Sequence, residues 1–301
     1  MVAKAPRAEE KLPIPPAKDS VAAAEVSLYR NLLKIKRDHS LDDLGIAFYD
    51  AETTVQWSYN ADDWFHAAST MKLAVLLGVF RQIDRGDLAL DAQVHVRNRF
   101  TSIVNQEPFM LDLGRDADPD VYGHLGKTLT VKELSYWMIT KSSNLATNLL
   151  VDVVGIETVQ LALRELEIDG IKVLRGVEDQ RAFEAGWNNE VTAHGLLKLL
   201  RLIAEGKAYS QKACDEMLEI LLEQQYRSGI PAGLPKGARI AHKTGNISTV
   251  HHDAGIVYLE GRRPYVLVIL TEFPAEQGRG TAVADVSRDI FNTLASSVYE
   301  S

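Results

Sequence analysis

Apolar positions recur at helical spacing over residues 22–38, where Val26, Tyr29, Leu32, Leu33 and Ile35 mark one face, and this pattern predicts a first helix. Residues 44–49 and 54–59 are short runs rich in β-branched and aromatic side chains. With Asp50-Ala51-Glu52 between them they predict a hairpin. From Ala67 to about Gln225 the period is mostly helical, over residues 70–84, 131–140, 145–154, 157–166, 192–205 and 211–224. The period then changes again. Residues 238–243, 254–259 and 265–271 read as strands, Gly261-Arg262-Arg263 as a turn, and residues 281–298 as a closing helix.

Strands at both ends of a chain with helices between them constrain the fold. Because strand edges need partners, the simplest assembly pairs the terminal strands into one antiparallel sheet and inserts the helices as a lobe. The expectation is a two-lobed α/β (α+β) fold: a flexible, proline-punctuated tail at residues 1–20, an α/β lobe from 21–66 and 236–301, and an all-helical lobe from 67–235. A cleft between the lobes is the natural site.

Composition narrows the partners. The 301 residues are 46% hydrophobic and 25% charged, as in a soluble globular protein, and the formal net charge of -8 argues against nucleic acid or an anionic membrane surface. A small-molecule or cell-wall-type substrate is expected. Cys214 is the only cysteine, so the chain can form no internal disulfide and offers no thiolate zinc site. The longest clean apolar runs, such as Leu73 to Phe80, fall far short of the roughly 18–20 residues that span a bilayer. The first twenty residues mix charges with Pro6, Pro13, Pro15 and Pro16 and contain no apolar signal core. That leaves two alternatives, a cytoplasmic protein or a leader already removed.

Three short motifs carry candidate chemistry. Ser69-Thr70-Met71-Lys72 opens a long apolar helix, and at a spacing of three Ser69 and Lys72 share a face near the positive end of the helix dipole. A serine is a weak nucleophile unless a neighbouring base takes its proton, and a lysine does so only with a depressed pKa. Lowering a lysine from about 10.4 to about 7–8 corresponds to roughly 3.5–5 kcal/mol of differential environment, so the pair requires a shielded cleft. Ser142-Ser143-Asn144, between two helices, offers a hydroxyl for proton shuttling and an amide for a substrate carbonyl. Lys243-Thr244-Gly245 ends an apolar strand, where a cation and a hydroxyl suit a carboxylate, Gly245 permits close backbone approach, and an N–H beyond it serves as an oxyanion donor. Taken alone, each has a bland explanation: an N-cap, a helix cap, a strand-end turn.

Together, Ser-x-x-Lys on a helix start, Ser-x-Asn between helices and Lys-Thr-Gly on a late strand, in that order, resemble the penicillin-recognising active-site serine hydrolases, and most closely the class A β-lactamases. The likeness extends over roughly residues 21–298. It implies a β-lactamase/transpeptidase-like fold and opening of a β-lactam ring through an acyl-enzyme on Ser69. Lys72 would assist proton transfer, Ser142 would pass a proton to the leaving nitrogen, and Asn144 would hold the substrate amide. Lys243 and Thr244 would meet the substrate carboxylate, while the backbone amides of Ser69 and Asn246 would form the oxyanion hole. The resemblance implies no metal or organic cofactor, a periplasmic or secreted protein, a monomer, and a β-lactam or cell-wall peptide as substrate.

Two features depart from the pattern. Ser143 stands where the family usually has aspartate, and residues 98–127, with Arg115-Asp116-Ala117-Asp118-Pro119-Asp120, look like an insertion at the cleft edge. The deacylating glutamate has two candidates, the remaining alternative being that no carboxylate serves deacylation. Glu178 follows Arg175 at a spacing one residue too long, and Glu184 has Asn188 at the family's four-residue offset but lies close to Thr192. Glu178 is the preferred choice. His251-His252-Asp253 is not read as a metal site, because successive strand residues point to opposite faces. His66 and His242 adjoin motifs without a ligand role, and Gly126-Lys127-Thr128 lacks the first glycine of a phosphate-binding loop. Two rival functions share the same serine: a D,D-peptidase or esterase, and a non-catalytic sensor that is acylated and not released.

Overall fold

The computed structural model describes residues 20–275 and 280–295. The expected tail, apart from Ser20, lies outside these, as do residues 296–298 of the closing helix. The first helix is α1 (Ser20–Asp38), followed by the hairpin β1 (Asp43–Asp50) and β2 (Gln56–Tyr59). A short strand, β3 (Phe65–His66), leads through a 3-10 turn (Ala68–Met71) into α2 (Lys72–Asp84). The middle of the chain contains β4 (Gln93–His95), β5 (Phe100–Thr101), β6 (Pro108–Phe109), β7 (Thr128–Thr130), α3 (Val131–Thr140), α4 (Asn144–Val154) and α5 (Ile156–Glu165). After these come β8 (Ile171–Lys172), α6 (Gln180–Glu184), β9 (Glu190–Val191), α7 (Ala193–Ala204), α8 (Gln211–Leu222) and the single turn α9 (Ile230–Gly233). The strands β10 (Arg239–Ile247), β11 (Val250–Tyr258) and β12 (Tyr265–Glu272), then α10 (Ala282–Ile290) and a π-helical turn (Phe291–Ala295), complete it.

The terminal strands form one antiparallel sheet in the order β10-β11-β12-β1-β2, with β1 beside β12 in the register Ile46↔Ile269 and Phe48↔Leu267. All eight residues of β1 are buried, because both faces of the sheet are covered. Alternation decides which side each residue serves. Ile46, Phe48, Leu267 and Ile269 meet Leu28 and Leu32 of α1 and Val283, Val286 and Ile290 of α10. Ala47, Val266, Val268 and Leu270 face the opposite way, into a core shared with α2, α7 and α8. That core runs continuously from the sheet into the helical part, so the two lobes have one interior on this side.

The centre of the helical part is α2. It is apolar all round, as a helix must be when neighbours surround it, and Lys72 to Arg81 are buried without interruption. A Cβ on Gly78 would stand 2.9 Å from Val159 Cγ2, so the glycine allows α5 its close approach. The capping box Thr130/Glu133 starts α3.

Several boundaries differ from the sequence pattern. Lys243-Thr244-Gly245 lies inside β10, which continues to Ile247, and β11 begins at Val250, four residues before the expected start at Ala254. Polar residues in these stretches break the apolar pattern, yet the ladder persists because Lys243 pairs with Ala254 and Gly245 with His252. Ser69 lies in the 3-10 turn, not in α2 itself, and the chain between residues 67 and 235 also carries the short pairings β4–β7, β5–β6 and β8–β9. Two- and three-residue strands are too short to leave a period.

Candidate active site

The 3-10 turn bearing Ser69 rests against β10. A Cβ on Gly245 would stand 2.9 Å from Thr70 Cγ2 and 3.2 Å from Ala67 O, so only glycine lets the strand reach the turn. Ala68 has φ +45°, a left-handed conformation that is strained for a residue with a Cβ. It is held by neighbours: its N–H donates to His66 Nδ1 at 3.1 Å, and Thr70 Oγ1 donates to Ala67 O at 2.6 Å. The side chain of Ser69 lines a cleft of about 330 Å³, together with Asn144, Glu178, Arg115, Asn246 and Phe183.

The two motif lysines are fully buried. Lys72 Nζ donates to Ser142 O at 2.6 Å, to Asn144 Oδ1 at 2.9 Å and to Ser142 Oγ at 3.2 Å. Lys243 Nζ reaches the same Ser142 Oγ at 3.1 Å and donates to Thr244 O at 2.9 Å. One hydroxyl therefore joins two amines. Burial pushes Lys72 down to about 7, against the charges of Asp116 and then Glu178, which favour its protonated form. Lys243 falls well below its usual value, first through burial and then through the charge of Lys72, with Asp253 opposing. Two like charges around one hydroxyl in a dry site favour a neutral amine, and a neutral amine is a proton acceptor.

The turn before α4 presents the second motif. Ser142 has φ +60°, and Ser143 caps the helix by accepting from Ala146 N at 3.2 Å. Asn144 is the first helical residue. Its amide bridges the site: Oδ1 accepts from Lys72, and Nδ2 donates to Glu178 Oε1 at 2.7 Å. Those two partners fix which way the amide points.

The two glutamates part company here. Glu178, at φ +61°, turns its carboxylate onto Asn144 and also accepts from the N–H of Asp112 at 3.2 Å. The left-handed backbone absorbs the extra residue after Arg175. Glu184 is exposed on α6, accepts from Gln180 Nε2 at 3.0 Å, and does not line the cleft. Asn188 instead accepts from Arg175 Nη2 at 3.2 Å, and Arg175 Nε donates to Trp187 O at 2.8 Å, closing the loop.

The remaining motif residues are Thr244, buried beside Lys243, and Asn246, at the cleft wall with a buried Oδ1 that no described group bonds. His251-His252-Asp253 is taken up by local bonding. His252 Nε2 donates to His66 O at 3.0 Å while its Nδ1 accepts from Thr271 N at 3.1 Å, and Asp253 meets His242 Nδ1 and Ile230 N, each at 2.8 Å. No group of three His, Cys, Asp or Glu that could hold a metal occurs among the described residues.

Sequence reasoning missed Asn148, which holds the loop before Glu178 by accepting from Val177 N at 2.7 Å and donating to Val177 O at 3.0 Å. It also missed Asp116, whose carboxylate accepts from the N–H groups of Asn144 and Leu145, both at 2.9 Å. Asn148 lies one turn beyond Asn144 on α4, a spacing that a search for inward polar residues would catch. Asp116 carries no such signal.

Comparison with known proteins places the chain in a family. A "Beta-lactamase" of Bacteroides uniformis is 26% identical over 257 residues, covering 78% of this chain and 81% of the relative. The crystal structure of a beta-lactamase from Sphaerobacter thermophilus superposes with a TM-score of 0.72 at 26% identity, covering 91% of this chain and 96% of that one. A mutant of PBP-A, described as an acyl-enzyme complex with penicillin-G, superposes at 0.73 with 25% identity, covering 89% and 96%. The model of the beta-lactamase enzyme family matches residues 27–294, and the chain belongs to that family.

Proposed function

We propose that this protein opens β-lactam rings by nucleophilic catalysis at Ser69. The observation that carries the reading is that Ser69, Asn144 and Glu178 line one cleft, and that Asn144 joins the Glu178 carboxylate to a buried Lys72 with a pKa of about 7, which shares the Ser142 hydroxyl with Lys243. In acylation, Ser69 Oγ forms a bond to the lactam carbonyl carbon as neutral Lys72 receives its proton. The negative oxygen faces the backbone N–H groups of Ser69 and Asn246. As the C–N bond breaks, the ring nitrogen takes a proton from Ser142, which is replenished from a lysine bonded to it.

In deacylation, Glu178 accepts a proton from water as the water oxygen attacks the ester carbonyl, and Ser69 leaves with a proton returned through Lys72. Lys243 and Thr244 act on the substrate carboxylate, with Lys243 gaining a proton as the anion arrives. No metal or cofactor enters this scheme. Residence in the periplasm or outside the cell accompanies it.

Similarity to PBP-A supports one second reading, in which acylation outlasts hydrolysis. A chromogenic cephalosporin assay combined with intact-protein mass spectrometry separates the two. The proposal expects turnover, loss of every adduct in Ser69→Ala, and a persistent adduct in Glu178→Gln formed at close to the parental rate. A persistent adduct in the parent itself selects the second reading. An adduct in Ser69→Ala overturns the nucleophile assignment.

A further inference from the structure

The turn that presents Ser142 and Asn144 is not completed by its own sequence. A helix start leaves its first N–H groups without intrahelical partners. Ser143 satisfies one, that of Ala146. The N–H groups of Asn144 and Leu145 are instead taken by the two oxygens of Asp116, Oδ1 and Oδ2, each at 2.9 Å, from 28 and 29 residues upstream. Asp116 is thus a bidentate cap supplied by the segment between β6 and β7. The same segment supplies the N–H of Asp112 to Glu178, so it grips both sides of the Asn144–Glu178 bridge.

We infer that Asp116 is a positioning residue of the active site, holding Asn144 against Lys72 and Glu178 and supplying the anionic charge that Lys72 faces at the helix start. This rests on the reading of Ser69 and Lys72 given above. Asn144 is tied at four points: its N–H to Asp116, its Oδ1 to Lys72, its Nδ2 to Glu178, and its backbone to α4. Release of the first lets the amide drift from the other two, and a misplacement of about 1 Å is costly in a site of this kind.

Charge acts alongside geometry. The groups facing Lys72 are Asp116 and Glu178, which favour its proton, and Lys243 across Ser142 Oγ, with which it repels. The phenol of Tyr122 also lies in the field of Asp116 and is kept protonated by burial and by the two carboxylates. Withdrawal of the Asp116 charge therefore lowers the affinity of Lys72 for a proton.

The experiment compares the parent with Asp116→Asn, which keeps shape and one acceptor, and Asp116→Glu, which keeps the charge. Lys72 is titrated by NMR of 13C-labelled lysine with Lys72→Arg as the assignment control, and acylation by a penicillin is timed by mass spectrometry from pH 5 to 9. In Asp116→Asn the Lys72 titration moves at least half a pH unit lower, the acid limb of acylation moves with it, and the maximal acylation rate falls at least tenfold. In Asp116→Glu the titration stays close to the parental one. An unmoved Lys72 titration in Asp116→Asn, or acylation at the parental rate, overturns the inference. A parent that forms no adduct sinks the serine mechanism instead, and the titration alone then decides the role of Asp116.

Discussion

Two buried groups of charge stand at opposite ends of the sheet's neighbourhood, and they are built on opposite principles. At one, Arg262 and Asp50, with side chains 3% and 0% exposed, pair directly. Arg262 Nη1 also donates to Ala295 O at 2.6 Å, and Asp50 accepts from Glu52 N at 3.0 Å and Thr53 Oγ1 at 2.9 Å. Each charge has its opposite and most remaining donors and acceptors are used. At the other end, Lys72 and Lys243 are buried with like sign around one hydroxyl, and the Glu178 carboxylate meets Lys72 only through the Asn144 amide. The first arrangement locks the β1–β2 turn to the π-helical turn Phe291–Ala295. The second is electrostatically unresolved, and in the mechanism proposed above the proton it disfavours is the one that catalysis has to move. Burial of polar groups therefore serves stability only where the pairing is complete.

The comparison breaks most visibly at Lys72. Lys72→Met should cut acylation by about 10³-fold, within the range of a lost general base. It should also stabilise the fold by about 1–4 kcal/mol in urea unfolding, as a matched apolar chain replaces a poorly compensated ion. The pH dependence sharpens this. With a folded value of about 7 and a usual value of 10.5, the unfolded chain holds the extra proton between those limits. Stability from this group is therefore present at high pH and is lost as pH falls from about 10 towards 7, a dependence that Lys72→Met removes. A variant less stable than the parent throughout would show that the amine's bonds to Ser142 and Asn144 outweigh its burial.

Arg262→Met tests the other end and should do the reverse. Leaving Asp50 buried without its partner should cost about 3–5 kcal/mol of unfolding free energy, while the turnover number of the protein that remains folded stays within about twofold of the parent. A stability loss under about 1 kcal/mol would mean that Thr53 and the turn amides suffice for Asp50.

The smallest effect is expected at His66, between the two extremes. Burial, and then the charge of Arg175, lowers its pKa below the usual 6.5, while its Nδ1 must stay unprotonated to accept from Ala68 N. The unfolded state takes up this proton first, so the contribution is complete above about 6.5 and is lost as pH falls through that value. His66→Asn, which keeps an acceptor, should lose less stability than the parent between pH 7.5 and 5.5 in paired urea titrations; equal losses would assign the pH dependence elsewhere.

Much of this was legible in the chain itself. The helices 131–140, 145–154 and 211–224 announced themselves through their apolar spacing, and the structure places them within two residues of those limits. The three motifs and their order need no tertiary information, because each is contiguous. What escaped was non-local or too brief: the paired dipeptides β5–β6 and β8–β9, and the extension of β10 and β11 through polar residues whose strand character comes from their partners.

The sequence by itself determined the long helices, the approximate places of the main-sheet strands, the family resemblance and the candidate side chains, since periodicity and motif spacing are properties of neighbours along the chain. Only the tertiary structure decided that Glu178 and not Glu184 reaches Asn144, because a single left-handed backbone at Glu178 redirects its carboxylate while α6 turns Glu184 to solvent. It alone decided that Asp116 caps α4 and that two lysines 171 positions apart share one hydroxyl. The reason is physical: burial, and with it the proton affinity of a buried amine, depends on what the fold brings near, and those neighbours come from distant parts of the chain.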